Sequence, residues 1–309
     1  MTAGGQPKLL ARLRSGTPLV LDAAMGSDLD RRGLPTTLPL WSALGLLERP
    51  DLVRQIHLDN LLAGAHIITT DTFRTTARTL SKAGLDPARA QDLDSLAVRL
   101  AREARAKAGR PDALIAGSIA PLEDCYLPVF ETPPEIAIAE HRAQASSLAT
   151  DGVDLLMVET MPTVTEAEIG LLAAVETGLP ATVGFVCAMP DPDEPVRLLS
   201  GETLAHAVAR VCPLAPTVIF VNCAAPAVIT AALGELGAMT TLPVGGYANV
   251  GHVDEEVGCA PDEGVTGDRY AEVARKWIDL GARVVGGCCG THPGHTLALR
   301  RMVDSLPLI

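Results

Sequence analysis

Ala282-Arg283-Val284-Val285-Gly286-Gly287-Cys288-Cys289-Gly290-Thr291 lies near the C-terminus, and its reading decides the fold. It reads as a buried strand that runs into two glycines and then two adjacent cysteines. Thiolates are soft ligands, so a pair of them at a strand tip is half a site for zinc or a similar borderline metal. The reading then turns on whether the rest of the chain supplies a third ligand and a fold that brings it near.

Seven more apolar runs precede this one, at residues 19–22, 65–73, 113–119, 153–159, 181–187, 217–223 and 242–249. Helix-like stretches separate them, at 51–63, 76–108 (with a break near 84–87), 135–150, 164–176, 201–211, 226–236 and 268–280, and a last one follows at 293–305. The runs are continuous rather than alternating, as expected of strands buried on both faces. Eight strands, each followed by helix, predict a (β/α)8 TIM barrel, a single α/β domain over residues 1–309. The rival is a doubly wound open sheet. It usually carries a glycine-rich phosphate loop after the first strand, and Ala23-Ala24-Met25-Gly26-Ser27 matches G-x-G-x-x-G poorly. Residues 121–134 read as a looser proline-bearing stretch, 189–197 as a charged loop, and the glycine-rich acidic segment 251–267 as a loop over the barrel mouth.

Composition excludes several function classes. The 309 residues carry a formal net charge of −12 and only 3% aromatic residues. There is neither the basic stripe that nucleic acid requires nor a set of base-stacking platforms. No apolar run approaches the twenty residues that span a membrane, and the first sixteen residues contain no signal-peptide core. Seven cysteines, an odd number widely spread, suit a reducing compartment better than a disulfide framework, so a cytoplasmic protein is expected.

In such a barrel the chemistry sits at the C-terminal ends of the strands. The residues falling there are Asp22, then Thr70-Asp71-Thr72, Ser118, Glu159-Thr160, Asn222-Cys223, Asn249 and Cys288-Cys289. Cys223 thus joins the vicinal pair on one rim. Three thiolates on zinc leave one tetrahedral position open, the mark of a catalytic site. Their summed charge with the metal is negative, so the centre activates water poorly and suits holding another thiol as thiolate. Asp22 and Glu159 end apolar runs, where a charge is expensive unless used, and together could grip an ammonium group. The backbone amides of Ala24, Met25, Gly26 and Ser27 could take a carboxylate. A thiol, an ammonium and a carboxylate describe a thiol amino acid. His292 and His295 are alternative metal ligands by type, but Thr291-His292-Pro293 reads better as a helix start. Cys125, Cys187, Cys212 and Cys259 read as packing or surface residues.

At this point the sequence resembles the homocysteine S-methyltransferase family of zinc-dependent barrel enzymes. The matching pieces include Leu21-Asp22-Ala23-Ala24-Met25-Gly26-Ser27, Leu40-Trp41-Ser42-Ala43, Val158-Glu159-Thr160-Met161-Pro162, Val221-Asn222-Cys223, Tyr247-Ala248-Asn249 and Val285-Gly286-Gly287-Cys288-Cys289-Gly290, in the family's order. The resemblance implies that Cys223, Cys288 and Cys289 bind Zn2+, that homocysteine sulfur becomes the fourth ligand, and that Asp22 and Glu159 contact the homocysteine amino group. It places Asn249 near the metal. Three departures stand out: Asp71 where the family usually has asparagine, Ala120-Pro121-Leu122 after the third strand, and Ala248 where proline is usual. They fall where the methyl donor should dock, and an added acid at Asp71 favours a cationic donor.

A chain no longer than one barrel is expected to lack cobalamin and folate domains, so the donor reacts directly. S-methylmethionine is the first choice, then betaine, with S-adenosylmethionine also open. The expected partners are therefore small molecules, with no nucleic acid and no membrane; a homo-oligomer is left open. The alternatives are a metal-dependent hydrolase on the same barrel, which would want histidine ligands at the strand ends, and a non-catalytic zinc or redox sensor.

Overall fold

The computed structural model describes residues 5–189, 191, 194–254, 258–261 and 265–307, with side chains from residue 9 onward and outside 252–264. Eight parallel strands form one sheet: β1 (Leu19–Val20), β2 (Ile67–Thr69), β3 (Leu114–Ile119), β4 (Leu155–Met161), β5 (Ala181–Phe185), β6 (Ile219–Asn222), β7 (Val244–Ala248) and β8 (Ala282–Gly287). β8 lies between β1 and β7. A parallel bridge between Leu21 and Ile67, with Asp22 N–H donating to Ile67 O at 3.0 Å, joins the first strand to the second and completes the ring. This is the TIM-barrel class that the alternating runs predicted.

Two apolar layers hold it. Inside the ring, Leu19, Leu21, Ile67, Leu114, Leu155, Met157, Phe220 and Val284 pack on one another. Leu9 and Leu13 of α1 (Gly5–Arg14) join that cluster. Outside, helices cover the strands around the fully buried Tyr270 and Trp277. Threonine hydroxyls cap several helices: Thr163 before Val164–Val175, Thr203 before Leu204–Val211 and Thr266 before Gly267–Asp279. Each hydroxyl accepts an amide that has no turn above it.

Several elements differ in detail from the sequence pattern. Pairing in β2 stops at Thr69, and residues 70–73 turn away as loop, because Thr70 and Thr72 bond to each other and to the neighbouring β3 through side chains. The helical region at 76–108 breaks where the sequence predicted, into Ala77–Lys82 and Ala90–Lys107, with a 3-10 turn at Pro87 capped by Asp86 between them. Segment 251–267 is not simply loop: Gly251–Asp254 and Gly258–Pro261 form an antiparallel hairpin, while residues 255–257 and 262–264 lie outside the described ones. Likewise Cys187–Ala188 and Arg197–Leu198 pair across the charged loop, of which residues 190, 192 and 193 lie outside the description.

One buried phenol ties the rim together. Tyr270 Oη accepts from Ala248 N at 2.9 Å and donates to Gly286 O at 2.7 Å, bridging β7 and β8 just below the cysteines. Replacing Tyr270 by Phe takes a partner from both backbone groups without changing the packed shape. Urea unfolding of Tyr270→Phe is expected to show a loss of about 1–3 kcal/mol.

Candidate active site

Parallel strands end together, so β1, β2, β4, β6 and β8 deliver their last residues to one cavity. It has a volume of about 380 Å³ and is lined by Asp22, Asp71, Ser118, Glu159, Cys223, Cys288 and Cys289. Trp41, Phe73, Cys125, Tyr126 and Tyr247 are also part of its wall, as are Ala24, Met25 and Gly26.

The sulfurs are placed by unusual backbone. Cys223 follows β6 in a left-handed conformation, φ 51°, which is costly for a residue with a side chain. Its amide donates to Tyr247 O at 3.1 Å, and its carbonyl accepts from Asn249 Nδ2 at 3.0 Å and Tyr126 Oη at 3.2 Å. Asn222 Nδ2 and Thr160 Oγ1 reach its sulfur at 3.3 and 3.4 Å. Thr160 is itself left-handed, φ 62°. Across the ring, Cys288 N bonds to Ala248 O at 2.9 Å, and Cys289 O accepts from Val250 N at 2.7 Å. Gly290, φ 82°, turns the chain sharply; a Cβ there would collide with the Val250 carbonyl.

Cys223 and Cys288 are joined as a disulfide, with Cα atoms 5.6 Å apart, and the buried Cys289 lines the same cavity. No disulfide framework was expected, and this one bond joins two of the sulfurs that the sequence reading assigned to a metal. The reason is the parallel register, which carries the ends of β6 and β8 to the same height although 65 residues separate them. The bond links residues of the rim rather than stapling a surface loop. With it in place, the described residues contain no cluster of three or more His, Cys, Asp or Glu set to hold a metal. Metal binding through Cys223 and Cys288 requires the reduced pair.

The carboxylates are held firmly. Thr69 donates to Asp22 from its amide at 2.8 Å and its hydroxyl at 3.0 Å. Tyr247 Oη donates to Glu159 Oε2 at 2.8 Å, and Ser118 Oγ donates to Oε1. Burial pushes the Asp22 carboxyl up to about 8, opposed by the Thr69 bonds and reinforced by the nearby Glu159 charge. Burial also raises Glu159, against its Ser118 and Tyr247 bonds. Two acids on one rim that resist ionisation are groups awaiting a positive partner. Asp71 is more extreme: it is 1% exposed, and neither carboxylate oxygen has a partner within hydrogen-bond geometry. Burial pushes it up to about 6, with the neighbouring Ser42 drawing it partly back.

Several expected residues have other places. The Ala24 amide is taken by Thr291 Oγ1 at 3.2 Å, leaving Met25, Gly26 and Ser27 of the proposed carboxylate cradle. Ser27 does not line the cavity; its hydroxyl accepts from Gly290 N at 2.9 Å and so braces the cysteine turn. Asn249 also stands behind the wall, holding the Cys223 carbonyl, and its buried Oδ1 has no partner among the described residues. His292 and His295 cap the last helix, Pro293–Asp304: His292 Nδ1 accepts from Gly294 N at 3.1 Å, and His295 Nδ1 from His292 N at 3.3 Å. Cys187 is core and Cys212 half-buried, as expected, whereas Cys259 falls outside the described side chains. Cys125 is corrected: it lines the cavity, with burial pushing its thiol up to about 12. Tyr126 and Arg74, also in the wall, carried no strand-end signal, because a proline-bearing loop and the turn after Phe73 deliver them.

Fold and rim together define an α/β-barrel enzyme with a thiol-rich, acid-flanked active site. The model of the family described as homocysteine S-methyltransferase matches residues 19–303. The homocysteine S-methyltransferase of Escherichia coli K12 is 35% identical over 296 residues, 91% of this chain and 94% of that protein. The crystal structure of the homocysteine methyltransferase MmuM from E. coli in metallated form superposes with a TM-score of 0.80 at 32% identity, covering 95% of this chain and 99% of that one. The oxidized form of the same enzyme gives 0.79 at 31% identity, over 94% and 99%. The chain belongs to the homocysteine S-methyltransferase family. No helix among its described residues is long and apolar enough to cross a membrane.

The raised pKa of Asp71 has a consequence for stability. A folded-state value of about 6 above the ordinary 3.8 means that the folded protein holds this proton more tightly than the unfolded chain. Its contribution is therefore full below about pH 4 and is lost as pH rises through about 6. Asp71→Asn is expected to be more stable than the parent at pH 7, by on the order of 2–3 kcal/mol. That gap should close toward pH 4 when thermal unfolding of the metal-free proteins is compared.

Proposed function

We propose that this protein transfers a methyl group from S-methylmethionine to the thiol of L-homocysteine, with zinc held by Cys223, Cys288 and Cys289, and that it works in the reducing cytoplasm. One observation carries the reading: two buried, hydrogen-bonded carboxylates, Asp22 and Glu159, face the same cavity as the three sulfurs. That pairing fits a small molecule bearing both an ammonium and a thiol. The donor set suits zinc, being all sulfur, with Asn222 and Thr160 poised to donate to the Cys223 sulfur and so to favour its thiolate. When bound, the metal would keep the substrate thiol ionised at neutral pH, which a free thiol with a pKa of about 8.5 does only slightly.

The chain's own groups do the rest. Asp22 and Glu159 bind the ammonium, each losing its proton as the cation arrives, since an opposite charge favours the carboxylate. Tyr247, whose proton is held by burial and by the Glu159 charge, stays a donor and fixes the Glu159 rotamer. The Met157 and Tyr247 side chains exclude water from beside the sulfurs. Homocysteine sulfur, without its proton, attacks the donor's methyl carbon. The bond from that carbon to the donor sulfur breaks with its electron pair, and both products are methionine. A hydrolase on this rim would want histidine ligands, and no histidine lines the cavity among the described residues.

The test is to incubate reduced, zinc-loaded protein with homocysteine and each of S-methylmethionine, betaine and S-adenosylmethionine, and measure methionine. Turnover with none of them overturns the reading. Cys288→Ser is expected to lose both bound zinc, measured by metal analysis, and more than about 99% of activity; full turnover would refute the ligand set. Glu159→Gln should keep its zinc but raise the homocysteine KM about tenfold or more, the loss of one charged contact.

A further inference from the structure

Asp71 has no task in binding homocysteine. It follows β2, whereas Cys223 follows β6, which stands across the eight-membered ring. Yet it faces the same cavity, with no oxygen satisfied and 1% of its surface exposed. A buried charge left unpaired is among the most expensive features a fold can hold, and such groups persist where a ligand completes them. No cation among the described residues does so. Arg74 lines the cavity too, but Nη1 donates to the Glu123 carbonyl at 2.9 Å and the guanidinium lies over the Phe73 ring, 5.3 Å from its centroid.

The cavity that Asp71 lines also has an aromatic wall. Trp41 and Phe73 meet edge to face with centroids 5.7 Å apart, and both line the cavity. Trp41 is held there by a left-handed backbone, φ 43°, and by the close approach of Gly26, where a Cβ would lie 2.7 Å from the indole. Ring faces attract cations, most strongly poorly hydrated ones. An ammonium would demand hydrogen bonds that these rings do not offer. A methylated sulfonium or quaternary ammonium needs none.

We propose that Asp71 determines donor specificity: with Trp41 and Phe73 it selects a methyl donor whose methyl group sits on a positively charged sulfur or nitrogen. This rests on the methyl-transfer reading above. The charge balance gives the inference its particular signature. As the methyl leaves, the donor becomes a neutral thioether or amine, so Asp71 holds the ground state more tightly than the transition state. Its contribution therefore belongs to KM rather than kcat. It also disappears once transfer is complete, and the spent donor is released.

The experiment uses zinc-loaded protein and the nearly isosteric Asp71→Asn. Tetramethylammonium, an unreactive probe, is titrated by isothermal calorimetry, with tert-butyl alcohol as the neutral counterpart. The parent is expected to bind the cation, and Asp71→Asn to bind it about 10–100-fold more weakly, with little change for the alcohol. In turnover, the KM for S-methylmethionine should rise about 10–100-fold, at least fivefold more than any rise for homocysteine, with kcat within about threefold. Trp41→Leu, which removes the ring and keeps the charge, should weaken the cation in the same sense if Asp71→Asn does not fold. Unchanged tetramethylammonium binding in Asp71→Asn, no binding in the parent, or a loss confined to kcat would overturn the proposal. If the parent makes no methionine from any donor, the methyl-transfer reading fails by itself, and the tetramethylammonium titration still decides whether Asp71 is a cation site.

Discussion

Parallel pairing of β6, β7 and β8 is the constraint on which the site depends. Register along this part of the sheet puts Asn222 beside Tyr247 and Gly287 beside Ala248. The residues just beyond, Cys223, Asn249 and Cys288, therefore emerge at one height. Nothing local to those residues could bring their sulfurs together. Tyr270 then fixes the distance between β7 and β8 from outside the ring, and Ser27 and Thr291 brace the cysteine turn from the first strand's side. Closure of the ring at Leu21 and Ile67 is thus part of the chemistry, since it carries Asp22 onto the same rim.

Two kinds of strain are stored around the cavity. Three of the four left-handed non-glycine residues among those described, Trp41, Thr160 and Cys223, surround it. Three carboxylates, Asp22, Asp71 and Glu159, are buried there without a basic partner of their own. Both features disfavour the empty folded state and favour a filled one. A metal held by both Cys223 and Cys288 would exclude the disulfide between them.

Much of this was legible in the chain. Continuous apolar runs separated by amphipathic stretches betray strands buried on two faces, and eight of them leave little besides a barrel. Because every strand of a barrel runs the same way, the polar residue ending each run marks the rim without any knowledge of contacts. That is why Asp22, Asp71, Glu159, Cys223, Cys288 and Cys289 could be picked out in advance. Residues delivered by loops could not. Cys125 and Tyr126 reach the cavity by the loop after β3, and Arg74 by the turn after β2, and periodicity carries no information about such paths.

Sequence alone therefore determined the order of elements, the class of fold and the end of the barrel that carries chemistry, because burial on both faces and strand direction are written in local pattern. Tertiary structure alone decided which sulfurs touch, which amides of the first turn remain available, and that Asn249 and Ser27 support the site from behind its wall. It also decided that Asp71 stands unpaired. Hydrogen-bond satisfaction is a property of neighbours distant in the chain, and only closing the ring chooses those neighbours.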